Sequence, residues 1–312
     1  MNTDEKGIPT LAADGERFLP EMQGTIALEH LHRYALAREL ARGKSVLDIA
    51  CGEGYGAALL AEAGVHVFGV DISADAIAHA SAKYHKPNLE FRIGSCTGIP
   101  LADASVDMVV SFETIEHHAE HDKMLSEIKR VLCPGGILVM SSPDKKEYTE
   151  RAAHENTFHV KELYMQEFEA LLRKYFAHHA LLGQRVLYAS TILLQGVSGE
   201  AVHHYREGQS TIRSTPGIFR PLYWIAVASD SAIPPLSSGI LEQLGESDPA
   251  IKDLQHQCHL AHCRIAGLEE EVVGLHEAIR MILNSRSWKF TRPLRAATTF
   301  IKSLTRRQHG NG

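Results

Sequence analysis

The stretch Val46-Leu-Asp-Ile-Ala-Cys-Gly-Glu-Gly-Tyr-Gly56 constrains the fold of this chain more than any other. A short apolar run leads into a glycine-rich turn and then into a helix expected to begin near Gly54, an arrangement that lets bare backbone approach a ligand. The start of such a helix offers unpaired amides to an anion. A turn needed only for packing reads the same way, so the next segment decides. Val65-His-Val-Phe-Gly-Val70 has the composition of a second strand and ends in Asp71, an acid about 20 residues after the turn, where a parallel strand presents it to ribose hydroxyls. No basic cluster stands there to take a 2′-phosphate.

The segments that follow alternate. Before the turn, Ala27, Leu28, Leu31, Tyr34 and Ala35 form one stripe of a helix from Gly24 to Arg42, with Leu36 and Leu40 starting a second. After it, Ser73 caps a helix running to about Tyr84 and ended by Pro87, and Leu89 to Ile93 gives a third strand. Val106 to Phe112 is a β-branched fourth strand, and a helix from His121 to Leu132 stops at Pro134-Gly135-Gly136 before a fifth strand at Ile137 to Met140. A helix from Val160 to Tyr175 and strands near Leu181 to Leu187 and Leu222 to Ala228 complete the pattern. The polar segment from Gly196 to Gly217 is either a disordered loop or part of an acceptor pocket. Such alternation predicts an α/β fold with right-handed crossovers and a mostly parallel, doubly wound sheet. Ligands then bind at the carboxyl ends of the strands, where Asp48, Asp71, Ser95 and Ser111 fall.

Five stretches carry a family resemblance: Asp48-Ile-Ala-Cys-Gly-Glu-Gly54, Gly69-Val-Asp71-Ile-Ser, Gly94-Ser-Cys96-Thr-Gly-Ile-Pro-Leu, Ser111-Phe-Glu-Thr-Ile-Glu-His117 and Arg130-Val-Leu-Cys-Pro-Gly-Gly136. In order and spacing they resemble the motifs of class I S-adenosylmethionine-dependent methyltransferases of the type 11 kind, over roughly residues 40 to 180. The resemblance implies a Rossmann-like seven-stranded sheet whose last pair is antiparallel, and S-adenosylmethionine as cofactor. It implies contacts from Asp48, Gly52, Gly54, Asp71, Ile72, Ser95, Cys96 and Ser111, and it makes Arg33, on a helix that closes over the cofactor, a partner for its carboxylate. Ser95 stands where the family usually has an acid that reads adenine, which leaves the backbone amide of Cys96 to donate to the ring. A nicotinamide-binding domain is the rival, but its usual G-x-G-x-x-G differs from the order Ala50, Gly52, Gly54, Gly56 found here.

The chemistry is expected from Glu113, Glu116 and His117. A sulfonium methyl needs only alignment with its acceptor, whereas a hydroxyl acceptor needs a base or a metal as its proton leaves. Positions i, i+3 and i+4 of a helical turn share one face, and two carboxylates with an imidazole suit Mg²⁺ or Mn²⁺. Glu113-x-x-Glu116-His117 also resembles the metal-binding element of the ubiquinone-pathway O-methyltransferases and the small-RNA 3′-terminal 2′-O-methyltransferases. The resemblance to the latter adds His159, nine residues before Phe168. The metal set is then Glu113, Glu116, His117 and His159; without a metal, His117 is the general base, with Glu116 beside it. His118 and His121 are expected to be solvated.

Composition bounds the rest. The 312 residues hold one sizeable domain with appendages, and the net charge of −6 argues against nucleic acid as a whole-surface partner. From Asn284 onward seven Lys or Arg stand with no acid, leaving 25 basic against 38 acidic groups in what precedes. Five cysteines without a C-x-x-C pair suit a reducing cytoplasm, and no apolar run nears the length of a membrane span. The expected divisions are a loosely held segment 1–23, the methyltransferase domain 24–228, a Pro/Ser/Gly linker 229–249, a coiled coil 250–284 and a basic amphipathic tail 285–312. Ile251, Cys258, Ile265, Val272 and Ile279 recur every seven residues, and Leu254, Ala261, Leu268, Leu275 and Ile282 follow three places later. These are the a and d positions of a parallel homodimer, with a helix packed on the catalytic domain as the alternative. The tail Ser285-Arg-Ser-Trp-Lys-Phe-Thr-Arg-Pro-Leu-Arg295 resembles a segment ending many bacterial enzymes of surface-polysaccharide assembly, and its aromatic and basic residues suit an anionic membrane. The chain therefore reads as an O-methyltransferase of a sugar hydroxyl in a cell-surface glycan or its precursor, cytoplasmic or peripheral at the membrane. The alternatives are a small-molecule phenol or quinone O-methyltransferase, an RNA ribose 2′-O-methyltransferase, and a cofactor-binding coiled-coil scaffold without catalysis.

Overall fold

The computed structural model describes residues 11, 18–22, 24–153, 156–187, 203–207, 212–241 and 249–291. The chain divides into two compact units, Met1–Ser247 and Asp248–Gly312. In the first, β1 (Ser45–Ile49), β2 (His66–Asp71), β3 (Leu89–Ile93), β4 (Val106–Ser111), β5 (Leu132–Pro143), β6 (His178–Gln184) and β9 (Tyr223–Ser229) form one sheet in the order β3-β2-β1-β4-β5-β9-β6. The first five strands run parallel, and β9 lies antiparallel between β5 and β6. This is the expected Rossmann-like, doubly wound seven-stranded sheet. The order reverses between β1 and β4, so the ligand crevice opens beyond Ile49 and Ser111.

Alternating side chains of the central strands serve two cores, as a sheet covered on both faces requires. Val46, Val67, Met108, Val110, Val139 and Val227 face α1 (Thr25–Leu40) and α2 (Tyr55–Leu60), against Tyr34, Ala37 and Leu60. Leu47, Ile49, Val109, Leu138 and Met140 face α4 (His121–Val131) and α5 (Met165–Tyr175), against Leu125, Ile128, Phe168 and Leu172. α3 (Ala74–Lys83) begins at Ser73, whose hydroxyl accepts from the Ala76 amide at 3.2 Å, as its place before the helix implied.

Three local expectations change. α1 buries Ala27, Glu29, Arg33, Tyr34 and Ala37, while Leu31 is 41% exposed, because the helix covers a polar end of the sheet rather than an apolar stripe. α5 starts at Met165, not Val160, because residues 160 and 161 give their amides to the Glu116 carbonyl at 2.8 and 3.0 Å and Leu163 bridges Asp144. The segment 196–217 contains a hairpin of β7 (His203–Glu207) and β8 (Ile212–Pro216); residues 188–202 and 208–211 lie outside the described residues. The second unit holds α6 (Pro249–Asn284), which covers the heptad region, and α7 (Arg286–Phe290); residues 292–312 of the tail lie outside the described residues.

Gly56 opens α2 against the ring of Tyr34. A Cβ there would stand 2.0 Å from Tyr34 Cζ, whereas one at Gly98 would meet nothing within 4 Å. Gly56→Ala is expected to lower unfolding free energy by about 1–3 kcal/mol through overpacking. Gly98→Ala should stay within about 0.5 kcal/mol of the parent. Denaturant melts that rank the two equally would refute this packing account.

Candidate active site

The glycine turn after β1 is built on left-handed backbone at Ala50, Gly52 and Gly54, with φ of 61°, 56° and 94°. At Gly54 a Cβ would lie 2.7 Å from Ala80 Cβ and 2.9 Å from Phe91 Cζ, so the close approach of α3 and β3 demands glycine. Asp71 ties the turn to the next helix: its Oδ2 accepts from the Gly52 amide at 2.9 Å and its Oδ1 from the Ser73 amide at 2.8 Å. Each oxygen keeps a second lone pair for a ligand. Ile72, beside it, is 76% exposed, a flat apolar surface at the end of β2. Glu53, within the turn and almost wholly buried, receives Lys83 Nζ at 2.6 Å and the Tyr84 hydroxyl at 2.8 Å, with His79 Nε2 at 2.9 Å. It fastens the turn to α3.

Other residues expected to touch the cofactor sit differently from one another. Asp48 is fully buried beneath the turn, where the Tyr34 hydroxyl donates to it at 3.1 Å; burial pushes its carboxyl up to about 7, against the pull of Tyr34. It supports the turn from below. Ser95 spends its hydroxyl on Thr97, accepting from the Thr97 amide at 3.2 Å. Cys96 Sγ lies 3.5 Å from His118 Nε2, and burial pushes the thiol up, which keeps it a protonated space-filler. The Ser111 hydroxyl, at the end of β4, is buried with no hydrogen-bond partner among the described residues.

Among the described residues, Arg33 is the largest fully buried side chain. Its Nη1 donates to Gln184 Oε1 at 3.1 Å and pairs with Glu113 Oε1 at 3.2 Å, and the guanidinium lies 4.7 Å over the Tyr223 ring. Its Nε and Nη2 are buried without a partner among the described residues. Such N–H groups cost free energy unless a ligand completes them. Glu29, one turn earlier on α1, accepts from the Tyr223 hydroxyl; burial raises its carboxyl to about 7, and the Arg33 charge only partly opposes this. His30, bonded to the Tyr55 hydroxyl at 2.9 Å, is pushed down to about 3 by burial and then by Arg33.

The expected metal set divides. Glu113 has left-handed backbone, φ 48°, and lies outside the helical turn, which covers only Ile115–His117. Its carboxylate is turned to Arg33 and to the Ser141 hydroxyl, at 2.7 Å, so it does not share a helical face with Glu116 and His117. Glu116, His117 and His159 do come together, with one ligand atom from each within 4.8 Å of the others. His117 Nδ1 donates to the Phe158 carbonyl at 3.2 Å, and His159 Nδ1 to Glu162 Oε1 at 2.6 Å. With Nδ1 donating in each neutral ring, Nε2 is the unprotonated nitrogen, the tautomer a metal or a proton acceptor requires. Tyr148 stacks on His159 at 5.3 Å and meets Tyr223 at 5.7 Å, which joins this cluster to the Arg33 side. His121 is buried and His118 half-buried, rather than solvated; burial lowers both pKa values, and His118 Nε2 contacts Met124 Sδ. Glu29, Gln184, Tyr148 and Tyr223 were not singled out from the sequence. Only Glu29 left a trace there, its i, i+4 spacing to Arg33.

A glycine turn at the sheet's switch point, an acid ending β2 and a carboxylate–imidazole cluster after β4 define a nucleotide-cofactor enzyme of the α/β class. Residues 47–140 match the family described as "Methyltransferase domain". The chain is 36% identical over 176 residues to the "Probable S-adenosylmethionine-dependent methyltransferase" of Mycolicibacterium smegmatis, covering 55% of this chain and 68% of that one. It is 35% identical over 165 residues to its counterpart Rv3030 of Mycobacterium tuberculosis, covering 52% and 60%. Among solved structures, a methyltransferase from Thermotoga maritima superposes with a TM-score of 0.47 at 17% identity, over 65% of this chain and 90% of that one. The chain belongs to the S-adenosylmethionine-dependent methyltransferases. Its residues fit that cofactor: the two orphaned N–H groups of Arg33 suit a carboxylate.

The raised pKa of Glu29 has a consequence for stability. Folded, it keeps its proton to about pH 7; unfolded, it loses it near 4.5, so stability falls as pH rises through that window. The loss is on the order of 3 kcal/mol when complete. Glu29→Gln should therefore melt at a higher temperature than the parent at pH 8 and at the same temperature below pH 4.5. An equal difference at both pH values would show that Glu29 is not buried as the neutral acid.

Proposed function

We propose that the acceptor is a hydroxyl, that of a sugar in a cell-surface glycan or its precursor, and that a divalent cation held by Glu116, His117 and His159 assists the transfer. The observation that carries the hydroxyl reading is the gathering of Glu116, His117 and His159, in which the two Nδ1 atoms donate to the Phe158 carbonyl and to Glu162, so that Nε2 is the unprotonated nitrogen of each ring. A nitrogen or sulfur nucleophile with its own free lone pair needs no such group; an alcohol does. S-adenosylmethionine supplies an electrophilic methyl on sulfur: the acceptor oxygen forms a bond to that carbon, the carbon–sulfur bond breaks to leave the neutral thioether S-adenosylhomocysteine, and the hydroxyl proton passes to solvent water. A cation at the cluster would lower the hydroxyl pKa. Glu116 supplies a buried carboxyl group, and Glu162 with the Phe158 carbonyl fixes the orientation of both rings.

The glycan assignment rests on the carboxyl-terminal resemblance together with Trp288 and Phe290, 38% and 87% exposed on α7 beside Arg286 and Lys289. Aromatic and basic groups so interleaved favour an anionic membrane surface, where glycan assembly intermediates are held. Among the described residues no helix is long and apolar enough to cross a membrane, so such an association is peripheral.

Mn²⁺ titration followed by electron paramagnetic resonance tests the cluster independently of turnover. The parent should bind one ion; His159→Ala and Glu116→Gln should each weaken it by about tenfold or more, the usual scale for a lost ligand or its support. Glu113→Gln should bind as the parent does. No bound Mn²⁺, with full methylation of a purified acceptor in EDTA, would remove the metal and leave His117 Nε2 as the base. Deleting residues 285–312 should release the enzyme from phosphatidylglycerol vesicles while preserving turnover on a soluble acceptor, and unchanged vesicle binding would defeat the membrane reading.

A further inference from the structure

α6 contains 36 residues and is about 54 Å long. Ile265, Leu268, Val272, Leu275, Ile279 and Ile282 recur along it in steps of three and four, and each is between 50% and 57% exposed. A continuous apolar seam of that length is a coiled-coil surface. Gly267 and Gly274 lie within it, each with nothing within 4 Å of where a Cβ would stand. Glycine weakens a lone helix, so helicity across this stretch needs support from outside the helix. Both glycines fall at c positions of the heptad, away from the seam.

We propose that the seam pairs with the same seam of a second copy of this chain, parallel and in register. The residues of the seam select two parallel strands: Ile265, Val272 and Ile279 are β-branched at a, and Leu268 and Leu275 stand at d. The flanking charges suit self-pairing. In a parallel pair each g position meets the e position five residues on in the other chain. Here that sets Arg264 against Glu269, and Glu271 against His276. The layers of Cys258 and Ala261 are the thin end, and the bulkier layers from Ile265 to Ile282 carry the association. Parallel pairing has a geometric consequence: both chains leave the coil at the same end, so two tails, each with seven Lys or Arg beyond Asn284, emerge together. Two weakly basic tails then act as one bivalent anchor toward an anionic surface.

The test uses the full chain. Light scattering at micromolar concentration should give twice the chain mass. Leu268→Lys with Leu275→Lys should give a monomer that still binds S-adenosylhomocysteine, which separates lost pairing from lost folding. Arg264→Glu and Glu269→Arg should each raise the dimer dissociation constant at low salt, and the double variant should recover the parent value, since only a parallel register sets these two positions opposite each other. Mild oxidation should cross-link the dimer, and Cys258→Ala should abolish the cross-link while Cys263→Ala keeps it. A monomeric parent, or a dimer that neither cross-links through Cys258 nor recovers in the double charge variant, would overturn the proposal.

Discussion

The buried guanidinium of Arg33 is the constraint around which the cofactor end of this fold is arranged. A cation removed from water needs compensation from several directions, and the elements that supply it are far apart in sequence. Gln184 comes from the end of β6, Tyr223 from the start of β9, and Glu113 from the loop after β4. Glu113 reaches Arg33 only because its own backbone takes a left-handed turn, which Ser141 on β5 holds through both the Glu113 amide and its carboxylate. One arginine thus ties α1 to four strands. It remains under-satisfied on two N–H groups, and the energetic cost of that state favours binding of a carboxylate-bearing donor.

The second half of the site depends on a peptide hydrogen bond rather than a charge. The Glu116 carbonyl accepts the amides of Val160 and Lys161, which holds the chain after His159 extended and delays α5 by five residues. Through this contact an imidazole some forty residues later in the chain reaches the Glu116–His117 turn. The Phe158 carbonyl and Glu162 then set the direction of both rings. Tyr148 and Tyr223 close the gap between this cluster and the Arg33 group by ring contacts. The Arg33 group and the Glu116–His117–His159 cluster are thus joined by aromatic packing at the start of β9.

Negative groups at this end are held in different states by their surroundings. Asp48 and Glu29 are buried without a full cationic partner and are pushed up to about 7, so both sit near the boundary between acid and carboxylate at neutral pH. Asp71 instead accepts two backbone amides at the crevice. Aspartate thus serves in one place as a buried prop under Tyr34 and in another as a bracket between two amides.

The sheet, the glycine turn and the acid at the end of β2 were legible in the sequence alone, because each rests on local periodicity or on backbone conformations that few residues tolerate. The sequence also pointed to Glu116 and His117 through their spacing on a helical turn, and to His159 through a resemblance. Tertiary structure decided what those residues meet. Glu113 left the metal set for Arg33 because a left-handed residue broke the helical turn, and backbone dihedrals of that kind leave no period in the sequence. Ser95 turned inward to Thr97, Asp48 went beneath the turn, and Leu31 came out to solvent because α1 covers a polar crevice. Glu29, Tyr148, Tyr223 and Gln184 entered the site from four separate elements. Their roles arise from proximity across the fold, and proximity of that kind is fixed only when the sheet order brings β6 and β9 beside β5 and lays α1 across their ends.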